Sequence, residues 1–190
     1  EFSTRQMSKV KIEDLLGRKP IKLDEQMIAR ELNDRRVLVT GAAGSIGSGL
    51  VRQIARFCPA KLILLDQAES PLYDLQNELR TEFPDLIFEV VIGDIRSYER
   101  MKRLFEAFSP QYVFHAAAYK HVPLMEDNPS EAVLTNVKGT ANLVDLAIET
   151  GVQKFVMIST DKAVNPTNVM GASKRIAEIY AQMKNGHGKT

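Results

Sequence analysis

The chain has 190 residues, 44% of them hydrophobic and 26% charged, with a formal net charge of +1. Those proportions are ordinary for a globular protein and leave no strong field to draw it to nucleic acid or an anionic membrane; lysine and arginine are dispersed, and there is no tryptophan to stack on bases. The one cysteine, Cys58, excludes an internal disulfide and fits a reducing compartment, no apolar run approaches the ~20 residues of a membrane span, and no signal peptide is visible.

Residues 1–34 read as an appendage of short helices. Ile12, Leu15 and Leu16 share one helical face, and Asp24 is placed to cap a second helix carrying Met27, Ile28 and Leu32. From residue 35 the pattern becomes strand–helix alternation. Val37–Val39 is a short apolar strand, followed by a helix with Leu50, Val51, Ile54 and Phe57 on one face. Leu62–Leu65 is a second buried strand that closes on Asp66, and Pro71–Phe83 a helix with Leu72, Leu75 and Leu79 inward. A third strand spans Ile87–Ile92, a helix Ser97–Phe108, and a fourth strand Tyr112–Phe114. Ser130–Thr150 reads as one long helix with Val133, Val137, Ala141, Val144 and Ile148 on its apolar side, ended by Gly151. Phe155–Ile158 is the fifth strand, and Ala172–Met183 a last helix with Ile176, Ile179 and Met183 on one side. Apolar strands alternating with helices give the α/β class, a doubly wound parallel sheet with both faces covered. The expected domain, residues 35–190, is incomplete at its C-terminus: a sixth strand and a substrate lobe belong after the last helix.

Strand one runs into Gly41-Ala-Ala-Gly44-Ser45-Ile46-Gly47, which opens the next helix. Gly41 permits the tight turn, Gly44 close approach of backbone to a pyrophosphate, and Gly47 close helix-on-strand packing. The helix start offers free N–H groups to the anion. The strand before and the helix after supply the context that a glycine triad alone lacks. Asp66, at the end of strand two, can accept both hydroxyls of a ribose and repels a 2′-phosphate, which favours NAD over NADP. Asp94, in Gly93-Asp94-Ile95-Arg96, is placed for the adenine edge or for a turn cap. Ile95, Ala116 and Ala117, in the loops after strands three and four, complete the expected cofactor contacts. No His, Cys and carboxylate cluster suggests a metal.

Over residues 36–184 these motifs, with His115-Ala-Ala-Ala-Tyr-Lys-His121 and Ser159-Thr-Asp-Lys162, resemble the extended short-chain dehydrogenases. The run from Thr160 through Asn165 and Met170 to Lys174 is similar to the capsule and glycan-biosynthesis dehydratases that act on UDP-N-acetylglucosamine. Lys11–Arg18 resembles the linker before this domain in the large members, whose transmembrane helices lie upstream. The resemblance thus implies a parent protein anchored in a bacterial inner membrane, with this chain on the cytoplasmic side.

It also implies a 4,6-dehydration with NAD as a recycled oxidant. Thr160 bonds the oxygen on sugar carbon 4, Asp161 protonates the leaving hydroxyl of carbon 6, and Lys162 removes the carbon 5 proton. Those roles ask for a raised Asp161 pKa and a lowered Lys162 pKa. Lys174 binds the nicotinamide ribose, while Lys120, His121 and Asn165 meet the UDP-sugar. One departure is Met170: the wider family has a tyrosine base there, and a thioether takes no proton. His115 reads as a satisfied strand-end histidine, and Asn136 as fixing backbone under the site. A nucleotide-sugar 4-epimerase and a non-catalytic NAD-binding module are the competing readings; the Asp161–Lys162 pair speaks against the first and Met170 for the second. A homo-oligomer fits the open sheet edge, and the chain alone is expected to lack dehydratase activity.

Overall fold

The computed structural model describes residues 24–185; the helix expected around Ile12, Leu15 and Leu16 lies outside the described residues. Asp24 accepts from the Met27 N–H at 3.0 Å and so caps α1 (Glu25–Leu32), as its position before an apolar run dictates. Leu32 sinks into the core. Glu31 fastens the helix to the sheet by accepting from the Tyr112 hydroxyl at 3.0 Å and the Lys154 ammonium at 2.6 Å.

Strands β1 (Arg36–Thr40), β2 (Lys61–Asp66), β3 (Phe88–Ile92), β4 (Tyr112–His115) and β5 (Lys154–Met157) form one sheet in the order β3-β2-β1-β4-β5. All its pairings are parallel. The side-chain period of two divides the strands between two cores. Val37, Val39, Leu62 and Leu64 face α2 (Ser45–Ala55) and α3 (Glu69–Glu82). Leu38, Ile63, Leu65 and Val113 face α4 (Tyr98–Phe108) and α7 (Thr140–Glu149). The register aligns Thr40 with Leu65 and His115, His115 with Met157, and Asp66 with Ile92, which gathers the carboxyl ends of the strands on one rim. The order in which strands are laid down reverses between β1 and β4, the crevice where open parallel sheets take ligands.

Three expectations need correction. β3 is an edge strand, so Ile87 and Ile92 are exposed and Val91 is the one buried residue of the strand. The long helix is interrupted: after α5 (Val122–Asp127) and α6 (Pro129–Ala132), Val133–Gly139 winds as a π-helix before α7 begins. Its buried face carries Ala132, Thr135, Asn136, Gly139 and Thr140, while Val133 points to solvent. Gly139 fixes that rotation, since a Cβ there would meet Ile95 Cδ1 at 2.6 Å. Gly151 does follow the helix in the left-handed region, at φ +72°. The last helix, α8 (Val169–Lys184), starts earlier than expected because Asn168 caps it, accepting from the Gly171 N–H at 2.7 Å. Ile176, Ile179 and Met183 are 50%, 44% and 63% exposed; the face turned inward is Met170, Gly171, Ser173, Lys174 and Ala177.

Candidate functional site

The turn between β1 and α2 is set by contact rather than by sequence habit. Gly41 has φ +67°, and a Cβ on it would lie 2.5 Å from the Ala117 backbone nitrogen. A Cβ on Gly47 would lie 1.9 Å from the Gly41 carbonyl oxygen, so α2 seats directly on the turn. Gly44 meets nothing nearer than that same carbonyl, at 3.3 Å, and keeps an open side. Ser45 is the first residue of α2, where unspent N–H groups and the helix dipole favour an anion.

Beside the turn lies a cavity of about 200 Å³ walled by Gly41, Gly44, Asp66, Asp94, Ile95, Ala116 and Ala117, among others. Asp66 accepts from the Ala43 N–H at 2.9 Å and the Ala68 N–H at 3.0 Å, one on each oxygen. Each oxygen keeps a second lone pair for a diol. Asp94 walls the cavity and has the expected turn geometry, held by the Arg96 N–H at 2.9 Å and the Arg96 guanidinium at 2.6 Å. Partial burial works against its charge, but the Arg96 bonds outweigh that and hold the carboxyl below its ordinary value. The sequence reading missed Thr135, which walls the same cavity with a buried hydroxyl that has no partner. A buried hydroxyl costs stability unless something pairs with it, so the wall fits a ligand with polar edges. Its one signal in the sequence was a Thr-Asn pair inside an apolar helix.

A second cleft of about 290 Å³ adjoins the first, sharing Ala116, Ala118 and Tyr119. It brings together Ile46, Lys120, Thr160, Lys162, Met170 and Lys174. Three lysines and no carboxylate line it, which suits a diphosphate. Lys120 donates to the Ser45 hydroxyl at 2.7 Å, so the loop after β4 reaches across to the phosphate turn. Lys174 is buried and donates to the Ile158 carbonyl at 2.9 Å. Burial pushes its pKa down to about 8, against an opposing pull from Glu178. Met170, one turn earlier on α8, packs with Met125 and Ala132 and lines the cleft at the position expected to carry a tyrosine in the wider family. Among the described residues no His, Cys, Asp and Glu group is arranged to hold a metal.

The Thr160-Asp161-Lys162 segment leaves the carboxyl end of β5 and turns through a short 3₁₀ helix, Asp161–Ala163. Thr160 donates to Asp161 at 2.9 Å, and Lys162 lies 3.8 Å from the same carboxylate. The Asp161 side chain is 90% exposed. The Thr160 hydrogen bond, then the Lys162 charge, hold its pKa below the ordinary value. This is the opposite of the raised value expected for an acid: on so exposed a side chain, desolvation is outweighed by the Thr160 bond and the Lys162 charge. His121 and Asn165 are exposed and line neither cavity; Asn165 sits at φ +48° beyond the 3₁₀ turn.

Residues 37–190 match the family model described as polysaccharide biosynthesis protein. The chain is 50% identical over 186 residues to the capsular polysaccharide biosynthesis protein CapD of Staphylococcus aureus, covering 97% of this chain and 31% of that protein. It is 37% identical to an inverting UDP-N-acetylglucosamine 4,6-dehydratase of Campylobacter jejuni, over 75% of this chain and 41% of the other. Among solved structures, UDP-glucose 4-epimerase of Thermus thermophilus in complex with NAD superposes with a TM-score of 0.66 at 26% identity, over 80% of this chain and 51% of that one. The chain therefore spans between about a third and a half of these relatives. With a doubly wound sheet, a glycine turn between β1 and α2, and a matching family model over most of its length, the chain belongs to the polysaccharide biosynthesis protein family of extended short-chain dehydrogenases.

Proposed function

We propose that this chain is the NAD-binding part of a UDP-N-acetylglucosamine 4,6-dehydratase working in polysaccharide biosynthesis. The observation that carries the reading is the cleft where Thr160, Lys162 and Lys174 converge with Lys120 beside the phosphate turn. The dinucleotide would lie with its adenosine end in the cavity of Asp66, Asp94 and Thr135 and its pyrophosphate on Gly44 and Ser45. Bound NAD would supply the oxidant that takes hydride from sugar carbon 4 and returns it to carbon 6. Lys174 would hold the nicotinamide ribose and place its charge near the carbon 4 oxygen.

Thr160 would bond that oxygen. Once carbon 4 is a ketone, the carbon 5 proton is acidic; Lys162 would take it while Asp161 gives its proton to the carbon 6 hydroxyl, which leaves as water. Asp161 is ionised and exposed here, so its acid role requires the bound sugar and the rest of the protein to cover the loop and raise its pKa. Lys120 would meet a diphosphate, and His121 and Asn165 would reach the sugar nucleotide from the rim. Met170 leaves the first proton acceptor to a water, Asp161 or Lys162.

Membrane anchoring of the parent protein, placement on the cytoplasmic side and self-association belong to the same proposal. Among the described residues no helix is long and apolar enough to cross a membrane.

The test is product analysis with UDP-N-acetylglucosamine and the full-length protein. We expect a 4-keto-6-deoxy sugar nucleotide from the wild type and none from Asp161→Asn or Lys162→Ala. Near-normal turnover in either variant removes the assignment. A 4-epimer formed without loss of water would instead establish the epimerase reading, which the Thermus thermophilus structural match favours. Retained NAD with no sugar conversion would leave a binding module. The 190-residue chain alone is expected to show no turnover, because its exposed loop cannot exclude water.

A further inference from the structure

Apart from Thr135, the buried polar and charged side chains of the described residues are Thr40, His115, Asn136, Thr140, Ser173 and Lys174. All but Lys174 belong to one hydrogen-bonded chain. Thr40 Oγ1 lies 2.7 Å from His115 Nδ1, and His115 Nε2 lies 2.9 Å from Thr140 Oγ1. Thr140 Oγ1 donates its only proton to the Asn136 carbonyl at 2.6 Å. The Asn136 side chain accepts from the Tyr119 N–H at 2.8 Å and donates to the Tyr119 carbonyl at 3.0 Å and to Ser173 Oγ at 2.9 Å. Ser173 Oγ donates to the Met170 carbonyl at 2.7 Å, and Lys174 is the next residue.

Proton counting gives this chain a direction. Thr140 has spent its hydrogen and can only accept from the ring, so Nε2 must carry a proton. Burial, and then the charge of Lys174, push the His115 pKa down to about 3, so the ring holds a single proton. Nδ1 is then bare and accepts from the Thr40 hydroxyl. Thr40 ends β1 immediately before Gly41 of the phosphate turn. At the other end, Asn136 braces both the loop that carries Lys120 and the helix that carries Lys174.

We propose that His115 is a positioning residue: held as the Nε2–H tautomer by Thr40 and Thr140, it keeps the phosphate turn in register with the Lys174 helix. The inference rests on the reading of this site as a dinucleotide site, and it gives Thr140, which lines neither cavity, an effect on cofactor affinity.

The test uses full-length protein labelled with ¹⁵N in histidine, the His115 signals being those lost in His115→Gln. Wild type is expected to show a protonated Nε2 and a bare Nδ1, unchanged between about pH 5 and pH 8. Thr140→Val removes the acceptor, so the proton is expected to move to Nδ1 and bond Thr40, and NAD⁺ affinity to fall by about fivefold; Thr140→Ser restores both. A threonine that merely fills space would change the melting temperature and neither of these. An Nδ1–H ring in wild type overturns the wiring, a result that stands even if Thr140→Val does not fold. Tautomer movement without loss of affinity overturns the link to the cofactor. A wild type that does not bind NAD⁺ at all would defeat the functional reading, leaving the tautomer result to decide the wiring by itself.

Discussion

The Lys120 ammonium stands 2.7 Å from the Ser45 hydroxyl, joining the loop after β4 to the first turn of α2. A cation from one side of the sheet's crevice thus meets the anion-seeking start of a helix from the other. The expected effect of Lys120→Met is about a tenfold loss of NAD⁺ affinity, the scale of one hydrogen bond to a charged group, with a flatter dependence on salt. Titration at two ionic strengths checks it. Affinity equal to wild type at both would show that Lys120 serves only the sugar nucleotide.

Gly47 and Gly49 sit in the same helix and predict opposite outcomes. Gly47→Ala drives a Cβ onto the Gly41 carbonyl and is expected to cost about 1–3 kcal/mol together with dinucleotide binding. Nothing lies within 4 Å of a Cβ on Gly49, so Gly49→Ala gains helix propensity and is expected to stabilise by about 0.5–1 kcal/mol. Thermal melts of the two variants decide the matter; equal signs would mean that α2 does not bear on the turn.

Asp66 closes β2 and takes backbone N–H groups on both oxygens. NAD⁺ is expected to bind more tightly than NADP⁺, and Asp66→Ala to narrow the gap by weakening the first and relieving repulsion of the 2′-phosphate in the second. The check is a pair of titrations for each protein, and tighter NADP⁺ binding by wild type would refute the assignment.

His115 also predicts an acid limb of stability. Its pKa is about 3 in the fold against an ordinary 6.5. As pH falls below about 6.5 the unfolded chain takes a proton that the folded chain refuses, so stability falls from there towards pH 3. His115→Gln lacks this titration and is expected to show a shallower slope over that window, whatever its stability at neutral pH. Urea melts across the window measure it; parallel slopes would mean that the ring is protonated in the fold.

The strands, their parallel pairing and the glycine turn were legible because period, punctuation and spacing are local. What the sequence misplaced depended on partners far along the chain. Ile176, Ile179 and Met183 look like a core stripe, yet α8 turns Ser173 and Lys174 inward, because those polar groups find Asn136 and the Ile158 carbonyl there. Val133 was drawn inward by spacing alone, whereas the contact of Gly139 with Ile95 sets the rotation of that helix. Asp161 was given a raised pKa from its implied role, which presumes a cover that the described residues do not supply. Thr135 carried no motif, and only its orphaned hydroxyl in the cavity wall reveals it.

The seating of Gly47 on the Gly41 carbonyl has a kinetic consequence. Ordering a loose loop costs about 1–2 kcal/mol for each residue fixed, and a turn wedged by its own helix meets that cost when the chain folds, before any ligand arrives. A dinucleotide then meets N–H groups already aimed, and its capture is governed by the rate of encounter and by charge steering rather than by rearrangement. Differences in affinity among variants of this turn will accordingly appear as differences in residence time.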